Sequence, residues 1–289
     1  MSTSAQTRKK YSFEFFPPRS ADTEKKLQHT MQRLAGLQPD FFSVTFGAGG
    51  STRDKTLETV LSVREATSID AAPHISCIGY ALDDLKQVIS TYREHGLRHL
   101  VALRGDIPSG AIGSGPLKYA SELVELIRAE TGDYFHIDVA CYPEVHPQSS
   151  SARKDFENFK RKVDAGANGA ITQYFFNPDA YFYFMDDCER AGIDIPIIPG
   201  IMPIINREQL LRFSRLCGAE IPLWILKRLE DCADDLDAIQ TFGNDVVTGL
   251  CSSLLEGGAP GLHFYTMNRH HSSETIWQNL RLTSSRNSG

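Results

Sequence analysis

The sequence has no paired or clustered cysteines and no excess of positive charge, and each absence excludes a class of protein. Its six cysteines form no CxxC pair and no cysteine–histidine spacing typical of zinc ligands, so we interpret them as reduced thiols and expect no metal site. Lysine and arginine total 30 against 36 aspartates and glutamates, for a formal net charge of −6. The basic residues are scattered, which speaks against a nucleic-acid partner.

Long apolar runs are also missing. The basic first ten residues are not followed by an apolar stretch of signal-peptide length. The most apolar segment, residues 193–205, is interrupted by Asp194, by a glycine and by prolines, so it cannot form a membrane-spanning helix. We therefore expect a cytoplasmic protein with no membrane partner.

The composition is that of one globular domain. Hydrophobic residues make up 41% and charged residues 23% of the 289 residues, which suffices for a sizeable core. No linker, tandem repeat or low-complexity segment divides the chain. The polar ends predict disordered tails at residues 1–10 and 283–289, and residues 11–282 then form a single catalytic domain.

Short β-branched or aromatic runs alternate with stretches of helical periodicity, the pattern of βα units around a parallel sheet. Eight such units are present, and eight parallel strands close a barrel. The predicted fold class is therefore α/β, a single (βα)8 TIM-type barrel, with an extra helix within residues 204–258 before strand eight. The predicted strands are Tyr11–Phe16, Phe41–Phe46, Ala72–Cys77, His99–Leu103, His136–Cys141, Gly169–Phe175, Ile195–Ile201 and Gly261–Thr266.

Local signals predict where several helices begin and end. Ser20 or Asp22, and Asp83, are suited to cap the amino termini of the first and third helices. Gly96 and Gly192 are suited to follow helix carboxyl termini.

Polar side chains follow almost every predicted strand. In a parallel barrel the strand interiors are packed, so polar residues clustered at the carboxyl ends indicate a binding site more than a folding requirement. Each one taken alone could simply cap a loop. The series is Glu14, Thr45, His74, Arg104, Asp106, Tyr142, Glu144, His146, Gln173, Asn268 and Arg269.

Glu14 is the sharpest candidate in this series. It lies in Tyr-Ser-Phe-Glu-Phe-Phe-Pro-Pro-Arg, and strand alternation places it on one face with Ser12 and Phe16 while Phe13 and Phe15 lie on the other. A carboxyl near phenylalanine rings loses hydration, which favours its protonated form and suits a general acid near neutral pH. The alternative is an ion pair with Arg19 or another cation at the barrel rim.

Two glycine-containing turns follow predicted strands at positions where a ligand could bind. Arg104, Gly105 and Asp106 place a cation, a flexible residue and a carboxylate after strand four; arginine suits a phosphate and aspartate a ring N–H, and the alternative is a local ion pair. Residues 47–52 superficially resemble a dinucleotide-binding turn but lack the G-x-G-x-x-G spacing, so we interpret them as a plain glycine-rich turn. His74 and His146 belong to no metal triad in the sequence.

Several longer motifs resemble those of the bacterial methylenetetrahydrofolate reductase family, in order and at family spacing, from about Tyr11 to Leu280. They include Ser-Phe-Glu-Phe-Phe-Pro-Pro-Arg (12–19), Ser-Val-Thr-Phe-Gly-Ala (43–48), Val-Ala-Leu-Arg-Gly-Asp (101–106), Tyr-Pro-Glu-Val-His-Pro (142–147), Ile-Thr-Gln-Tyr-Phe-Phe (171–176), Ile-Pro-Gly-Ile-Met-Pro (198–203) and His-Phe-Tyr-Thr-Met-Asn-Arg (263–269).

This resemblance implies a barrel that holds FAD non-covalently, without a Rossmann domain. It implies reduction of 5,10-methylenetetrahydrofolate to 5-methyltetrahydrofolate by NADH or NADPH, in two half-reactions that share one pocket. By the same resemblance Glu14 is the general acid, and Asp106 is the carboxylate beside flavin and pterin. The implied substrate-binding residues are Glu14, Gln173, Gln209, Phe213 and Arg269.

The resemblance also implies the residues that bind FAD. Gln148 and Met267 depart from the acidic residue and the leucine expected of many relatives, which puts one ribose or adenine contact in question. Relatives of this type assemble as homo-oligomers, so we expect one here. The implied FAD-binding residues are Thr45, His74, Arg104, Gly105, Asp106, Tyr119, Ala120, Tyr142, His146, Asp155, Asn158 and Lys162.

Two alternatives to this function stay open on the sequence. The chain could be another flavin-dependent barrel, such as a proline-dehydrogenase-like enzyme, which shares the eight-strand pattern without these motifs. It could also be a barrel that binds folate without redox activity. The choice between NADH and NADPH is open as well, because no arginine for a 2′-phosphate can be identified.

Overall fold

The computed structural model describes residues 8–46, 51–105 and 115–283, and in this part of the chain strands alternate with helices. In chain order the strands are β1 (Lys10–Phe15), β2 (Phe41–Val44), β3 (Asp70–Ser76), β4 (His99–Leu103), β5 (His136–Cys141), β6 (Gly169–Thr172), β7 (Ile197–Ile198), β8 (Gly200–Ile201) and β9 (Gly261–Tyr265).

The strands form one parallel sheet that curls into a barrel. Their order is β7-β6-β5-β4-β3-β2-β1-β9-β8, and the two end strands are consecutive on the chain, separated by Pro199 alone. Pro199 has no N–H to donate, but its carbonyl accepts a 3.0 Å hydrogen bond from the backbone N–H of His263. The predicted α/β barrel is confirmed, with its seventh strand divided into two short pieces.

Helices cover the outside of the barrel, and three of the described ones lie between β8 and β9. The helices are α1 (Ala21–Ala35), α2 (Ser51–Thr67), α3 (Leu82–Glu94), α4 (Ala120–Thr131), α5 (Ala152–Asp164), α6 (Pro178–Arg190), α7 (Arg207–Cys217), α8 (Leu223–Asp231), α9 (Leu236–Glu256) and α10 (His271–Asn279). None of the helices in the described ranges has the length and apolar character needed to cross a bilayer.

Two apolar clusters make up the core. The larger one joins the outward strand residues to the helix stripes, with Phe13 and Phe15 of β1 packing near Leu27 and Met31 of α1. The smaller one fills the barrel interior and consists of Phe41, Ala72, Val101 and Ile171. This interior layer separates the two ends of the barrel, as layered side chains do in barrels of this type.

The helix-end predictions are partly confirmed. Ser20 caps α1, and its hydroxyl accepts a hydrogen bond from Thr23 N. Gly96 and Gly192 lie two residues beyond the last residues of α3 and α6, with φ values of 68° and 70° at which a residue with a Cβ is strained. Asp83 is not a cap, because α3 begins at Leu82; it lies in the first turn, where a carboxylate favours the helix dipole.

The predicted strand six, Gly169–Phe175, is too long. β6 ends at Thr172, and the aromatic residues after it are buried in the following loop. Tyr174 donates to or accepts from Ser214 Oγ at 3.1 Å, and Phe175 stacks on Tyr181 of α6 at 6.0 Å. The sequence pattern shows that these residues are apolar. They are buried by packing between the barrel and the helices, and they do not form part of a strand.

The tail predictions are tested only at their inner edges. Residues 8–10 are part of the fold, since Arg8 pairs with Asp40 at 2.9 Å and Lys10 begins β1. The predicted tail, residues 1–10, therefore includes three residues that belong to the fold. Residues 1–7 and 284–289 lie outside the described residues.

Candidate functional site

The carboxyl ends of the strands surround two adjoining cavities. The central cavity, of about 590 Å³, opens above the interior layer of the barrel, and the side cavity, of about 290 Å³, lies between β4, β5, α4 and α5. Both are lined by Leu103, Gly105, Ala140 and Tyr142. The two cavities therefore form one continuous recess at the end of the barrel where sites of this fold occur.

Glu14 lies at the floor of the central cavity. Its side chain points inward from β1 and is only 8% exposed. Its Oε2 atom lies 3.4 Å from Nε2 of His74 and 3.6 Å from Nε2 of His263. Phe16, which is predicted on the same face, lines this cavity with Glu14, whereas Phe13 and Phe15 belong to the core between the sheet and the helices. The barrel interior and the rings of His74 and His263 shield Glu14 from water. Arg19 is not among its ion-pair partners in the described part of the chain.

The two histidines are held differently. His263 Nδ1 lies 2.7 Å from the Ser12 hydroxyl, so the ring is anchored on the side away from Glu14. His74 lies on β3, and burial lowers its pKa to about 4 even though nearby Glu14 opposes this shift. Its imidazole is therefore neutral near pH 7. The Nε2 atoms of both rings are buried and have no hydrogen-bond partner among the described residues.

Tyr265 lines the central cavity next to His263, which its ring meets edge to face at 5.3 Å, and Gly200 lies behind the Tyr265 ring. The Tyr265 hydroxyl donates a 2.7 Å hydrogen bond to the carbonyl of Thr172, and burial raises the pKa of Tyr265 well above its usual range. A Cβ at Gly200 would lie 2.6 Å from the Tyr265 ring, so position 200 requires glycine for this packing. The phenol is thus a fixed neutral donor at neutral pH.

The side cavity carries two cations. Arg104 follows β4, and its guanidinium contacts the carbonyl of Gly105 and the side chain of Gln148. Lys162 donates to the carbonyl of Ala140, and burial lowers the pKa of its amine. Cations at one end of an elongated recess are suited to bind phosphate groups.

Helices α4 and α5 complete the side cavity. Tyr119 and Ala120 bring the amino terminus of α4 to the cavity, where a helix dipole favours an anion. Asp155, Asn158 and Lys162 lie on one face of α5 because they are spaced by three and four residues. Asp155 also accepts a 2.9 Å hydrogen bond from the backbone N–H of His146, which orders the loop after β5.

Most of the predicted site residues meet in this recess. Glu14, Thr45, His74, Gly105, Tyr142, Gln173 and Phe213 line the central cavity, and Arg104, Gly105, Tyr119, Ala120, Tyr142, His146, Asp155, Asn158 and Lys162 line the side cavity. Asp106 and residues 47–50 lie outside the described residues.

Two predicted substrate residues lie apart from the central cavity. Gln209 lines a narrow pocket next to it, together with Phe213. Arg269 is exposed in the turn after β9, where its backbone N–H donates to the carbonyl of Thr266.

The sequence reasoning missed His263 and Tyr265. Both lie on β9 in the apolar segment Gly-Leu-His-Phe-Tyr, and the register pairs Ser12 with His263 and Glu14 with Tyr265. Their alternation could have shown that they share a face. Only the pairing of β9 with β1 shows that this face is the inner face of the barrel, which carries Glu14.

Comparisons with known proteins agree on one family. A family model described as methylenetetrahydrofolate reductase matches residues 1–281. The 5,10-methylenetetrahydrofolate reductase of Escherichia coli K12 is 43% identical over 269 residues, covering 93% of this chain and 90% of that protein. The corresponding protein of Pectobacterium carotovorum is 42% identical, covering 95% and 91%.

A plant relative and a solved structure extend the comparison. The Arabidopsis thaliana protein named methylenetetrahydrofolate reductase (NADH) 1 is 37% identical, and the match covers 97% of this chain and 50% of that protein. An uncharacterized protein from Clostridium thermocellum, described as binding two copies of 5-methyl-5,6,7,8-tetrahydrofolic acid, matches with a TM-score of 0.66 and 18% identity over 95% of each chain. At this identity the structural likeness shows the fold.

Proposed function

The chain belongs to the methylenetetrahydrofolate reductase family of oxidoreductases, and from this we propose that it reduces 5,10-methylenetetrahydrofolate to 5-methyltetrahydrofolate, using NADH or NADPH and a non-covalently bound FAD. The observation that carries the proposal is the continuous recess with a buried carboxylate, Glu14, at its floor and two cations, Arg104 and Lys162, at its far side.

The residues of the recess fit FAD. Arg104 and Lys162 suit its pyrophosphate, and so does the amino terminus of α4. Leu103 and Ala140, which line both cavities, offer an apolar surface for a flat ring system at the junction of the cavities. When bound there, FAD would supply a carrier that accepts two electrons from a nicotinamide and passes them to the folate.

Glu14 is the proposed general acid. It is buried at the cavity floor and lies within 3.6 Å of two imidazole nitrogens, so it can exchange a proton with a substrate while water is excluded. Protonation of a ring nitrogen of the folate favours opening of the five-membered ring to the iminium that accepts hydride. His263, held by Ser12, would orient Glu14 for this transfer.

The remaining predicted residues keep proposed roles. Gln173 would bind the edge of the pterin or the nicotinamide, and Phe213 would pack against either ring from α7. Gln209 and Arg269 would need a shift of their side chains to reach the substrate, Arg269 binding its anionic part. Asp106 would stabilise the cationic iminium from the loop after β4.

One central cavity favours a ping-pong sequence. Its volume of about 590 Å³ is of the size that holds a single small ligand, so nicotinamide and folate would occupy it in turn. The fold itself accommodates a reduced folate, as the description of the Clostridium thermocellum protein states for that protein.

The test is to purify the chain, record its flavin absorbance and measure each half-reaction. We expect a yellow protein that NADH or NADPH reduces and methylenetetrahydrofolate reoxidises, with formation of methyltetrahydrofolate and parallel lines in double-reciprocal plots. A colourless protein that FAD cannot reconstitute would instead favour the folate-binding barrel. Oxidation of proline in place of folate turnover would favour the other flavin barrel. Steady-state rates with both nucleotides would identify the electron donor.

Location and assembly are further proposals. No disulfide joins any of the six cysteines, all of which lie in the described ranges, and this fits the reducing cytoplasm. Leu216, Leu223, Trp224 and Leu236 are large apolar side chains exposed on α7, α8 and α9, and a homo-oligomer would cover such residues. Gel filtration with light scattering measures this assembly directly.

A further inference from the structure

A second cluster of polar side chains lies at the opposite end of the barrel from Glu14. His99 begins β4, His136 begins β5, and Asp138 follows two residues later on β5. One ligand atom from each of the three lies within 4.8 Å of the other two. His99 Nε2 is 2.7 Å from one carboxylate oxygen of Asp138, and His136 Nε2 is 3.3 Å from the other.

The strand register builds this cluster. β4 and β5 pair His99 with His136, so the two imidazoles project side by side from neighbouring strands, and their rings meet edge to face at 4.8 Å. The ring of His99 also packs on Phe41 of the interior layer, at 4.3 Å. These contacts hold the ring of His99 in place, so little side-chain freedom is left to lose when a ligand binds.

The carboxylate of Asp138 is held as firmly. It is 3% exposed and lies against Gly169 of β6, where a Cβ would come within 2.3 Å of its Oδ1 atom. Position 169 therefore needs glycine for the carboxylate to point at the two histidines. Solvent reaches the cluster through His136, whose side chain is 37% exposed, and His99 lies deeper at 16%.

We propose that His99, His136 and Asp138 bind a divalent cation of the Zn²⁺ class. Two imidazole nitrogens and one carboxylate oxygen are a ligand set that such cations prefer, with open positions left for water. The cation would take the place of the Nε2 protons that now face Asp138, so no other side chain needs to move far. The interior layer of Phe41 and Val101 lies between this site and Glu14, so the site is distinct from the cavity of the reaction proposed above.

The test measures Zn²⁺ binding by the full-length, purified protein after dialysis against a chelator. Isothermal titration should show one Zn²⁺ per chain, and Zn²⁺ should raise Tm because it binds only the folded state. Removal of a ligand in His99→Asn or His136→Asn should weaken binding at least about tenfold and abolish the rise in Tm. His271→Asn is the matched control, because His271 is exposed on α10, and it should bind like the wild type.

A second readout needs no variant, in case the substitutions prevent folding. Diethyl pyrocarbonate modifies accessible histidines, and mass spectrometry locates the modified residues. Zn²⁺ should protect His99 and His136 and leave His271 reactive. The proposal is overturned if the wild type binds no Zn²⁺, if both cluster variants fold and bind it as tightly as the wild type, or if protection falls only on residues outside the cluster.

Discussion

His263 lies between Ser12 and Glu14, with one ring nitrogen on the side of each. Its Nε2 lies 3.6 Å from Glu14 Oε2, and its Nδ1 lies 2.7 Å from Ser12 Oγ. Serine and glutamate are two residues apart on β1, so they share the inner face, and the register with β9 places the histidine beside them. The register between the first and the last strand therefore brings the serine, the histidine and the acid together at the cavity floor.

Replacement of the acid should separate the two half-reactions. In Glu14→Gln we expect reoxidation of the reduced enzyme by methylenetetrahydrofolate to slow by about 100-fold or more, the usual contribution of a general acid. Reduction by NADH or NADPH needs no such proton and should change only a few-fold. Stopped-flow absorbance of the bound flavin measures both steps. Glu189→Gln, an exposed change on α6, is the control, and equal damage to both steps would contradict the assigned role.

The buried His74 should make the fold sensitive to acid. Burial lowers its pKa to about 4 from an ordinary 6.5, so the unfolded chain binds the proton more readily than the folded one. Above pH 6.5 the His74 ring is neutral in both the folded and the unfolded chain, so it does not change the free energy of unfolding. As the pH falls from 6.5 towards 4, the free energy of unfolding decreases by about 3 kcal/mol. Urea unfolding at several pH values should show a shallower acid limb for His74→Asn.

His95→Asn controls for the loss of an exposed histidine and should keep the slope of the wild type. Glu14 and His263 stay in place in both variants, so the comparison isolates the ring of His74. An unchanged acid limb in His74→Asn would show that another group causes the acid sensitivity.

The side cavity should lose affinity for FAD without Arg104. A hydrogen bond to a charged group contributes about 1.5–3 kcal/mol, so Arg104→Ala should raise the Kd for FAD by about 10- to 100-fold. Arg153→Ala removes an arginine from α5 that is 90% exposed and should retain FAD. The ratio of flavin to protein after dialysis, followed by a fluorescence titration of the apoprotein, measures the difference. Full occupancy after dialysis of Arg104→Ala would contradict a phosphate-binding role.

The sequence predicted the barrel and most of the recess because both depend on local patterns. Alternation placed Glu14 on the inner face of β1, and the polar ends of consecutive strands must meet at one end of a parallel barrel. Contacts between strands distant in sequence were not predictable in this way. His263 near Glu14 and His99 near Asp138 depend on the register between strands, which no local pattern determines.

The aromatic segment after β6 shows a second limit. Tyr174 and Phe175 have strong strand propensity, but their burial comes from α6 and α7, which pack over the loop. Propensity measures how well a residue suits a half-buried surface, and it does not distinguish a strand from a packed loop. The alternation on β1, in contrast, is predictable: Phe16 lines the cavity with Glu14, and Phe13 and Phe15 lie in the core on the opposite face.

Gly200 should be intolerant of even one added methyl group. A Cβ there would lie 2.2 Å from the carbonyl oxygen of Thr172 and 2.6 Å from the ring of Tyr265, so Gly200→Ala must displace the phenol and break its hydrogen bond. We expect the free energy of unfolding to fall by about 1–3 kcal/mol through overpacking. Gly249→Ala is a matched control, because Gly249 lies inside α9 with open space around its Cα. Helix propensity predicts that this control gains about 0.5–1 kcal/mol.

Urea unfolding of the two variants measures the difference in their free energies of unfolding. Since Tyr265 lines the central cavity, KM for the folate should rise in Gly200→Ala alone. Equal stability of the two variants would mean that the strand pieces beside Pro199 shift to admit the methyl group, and the wall of the cavity would then be less rigid than its hydrogen bond to Thr172 indicates.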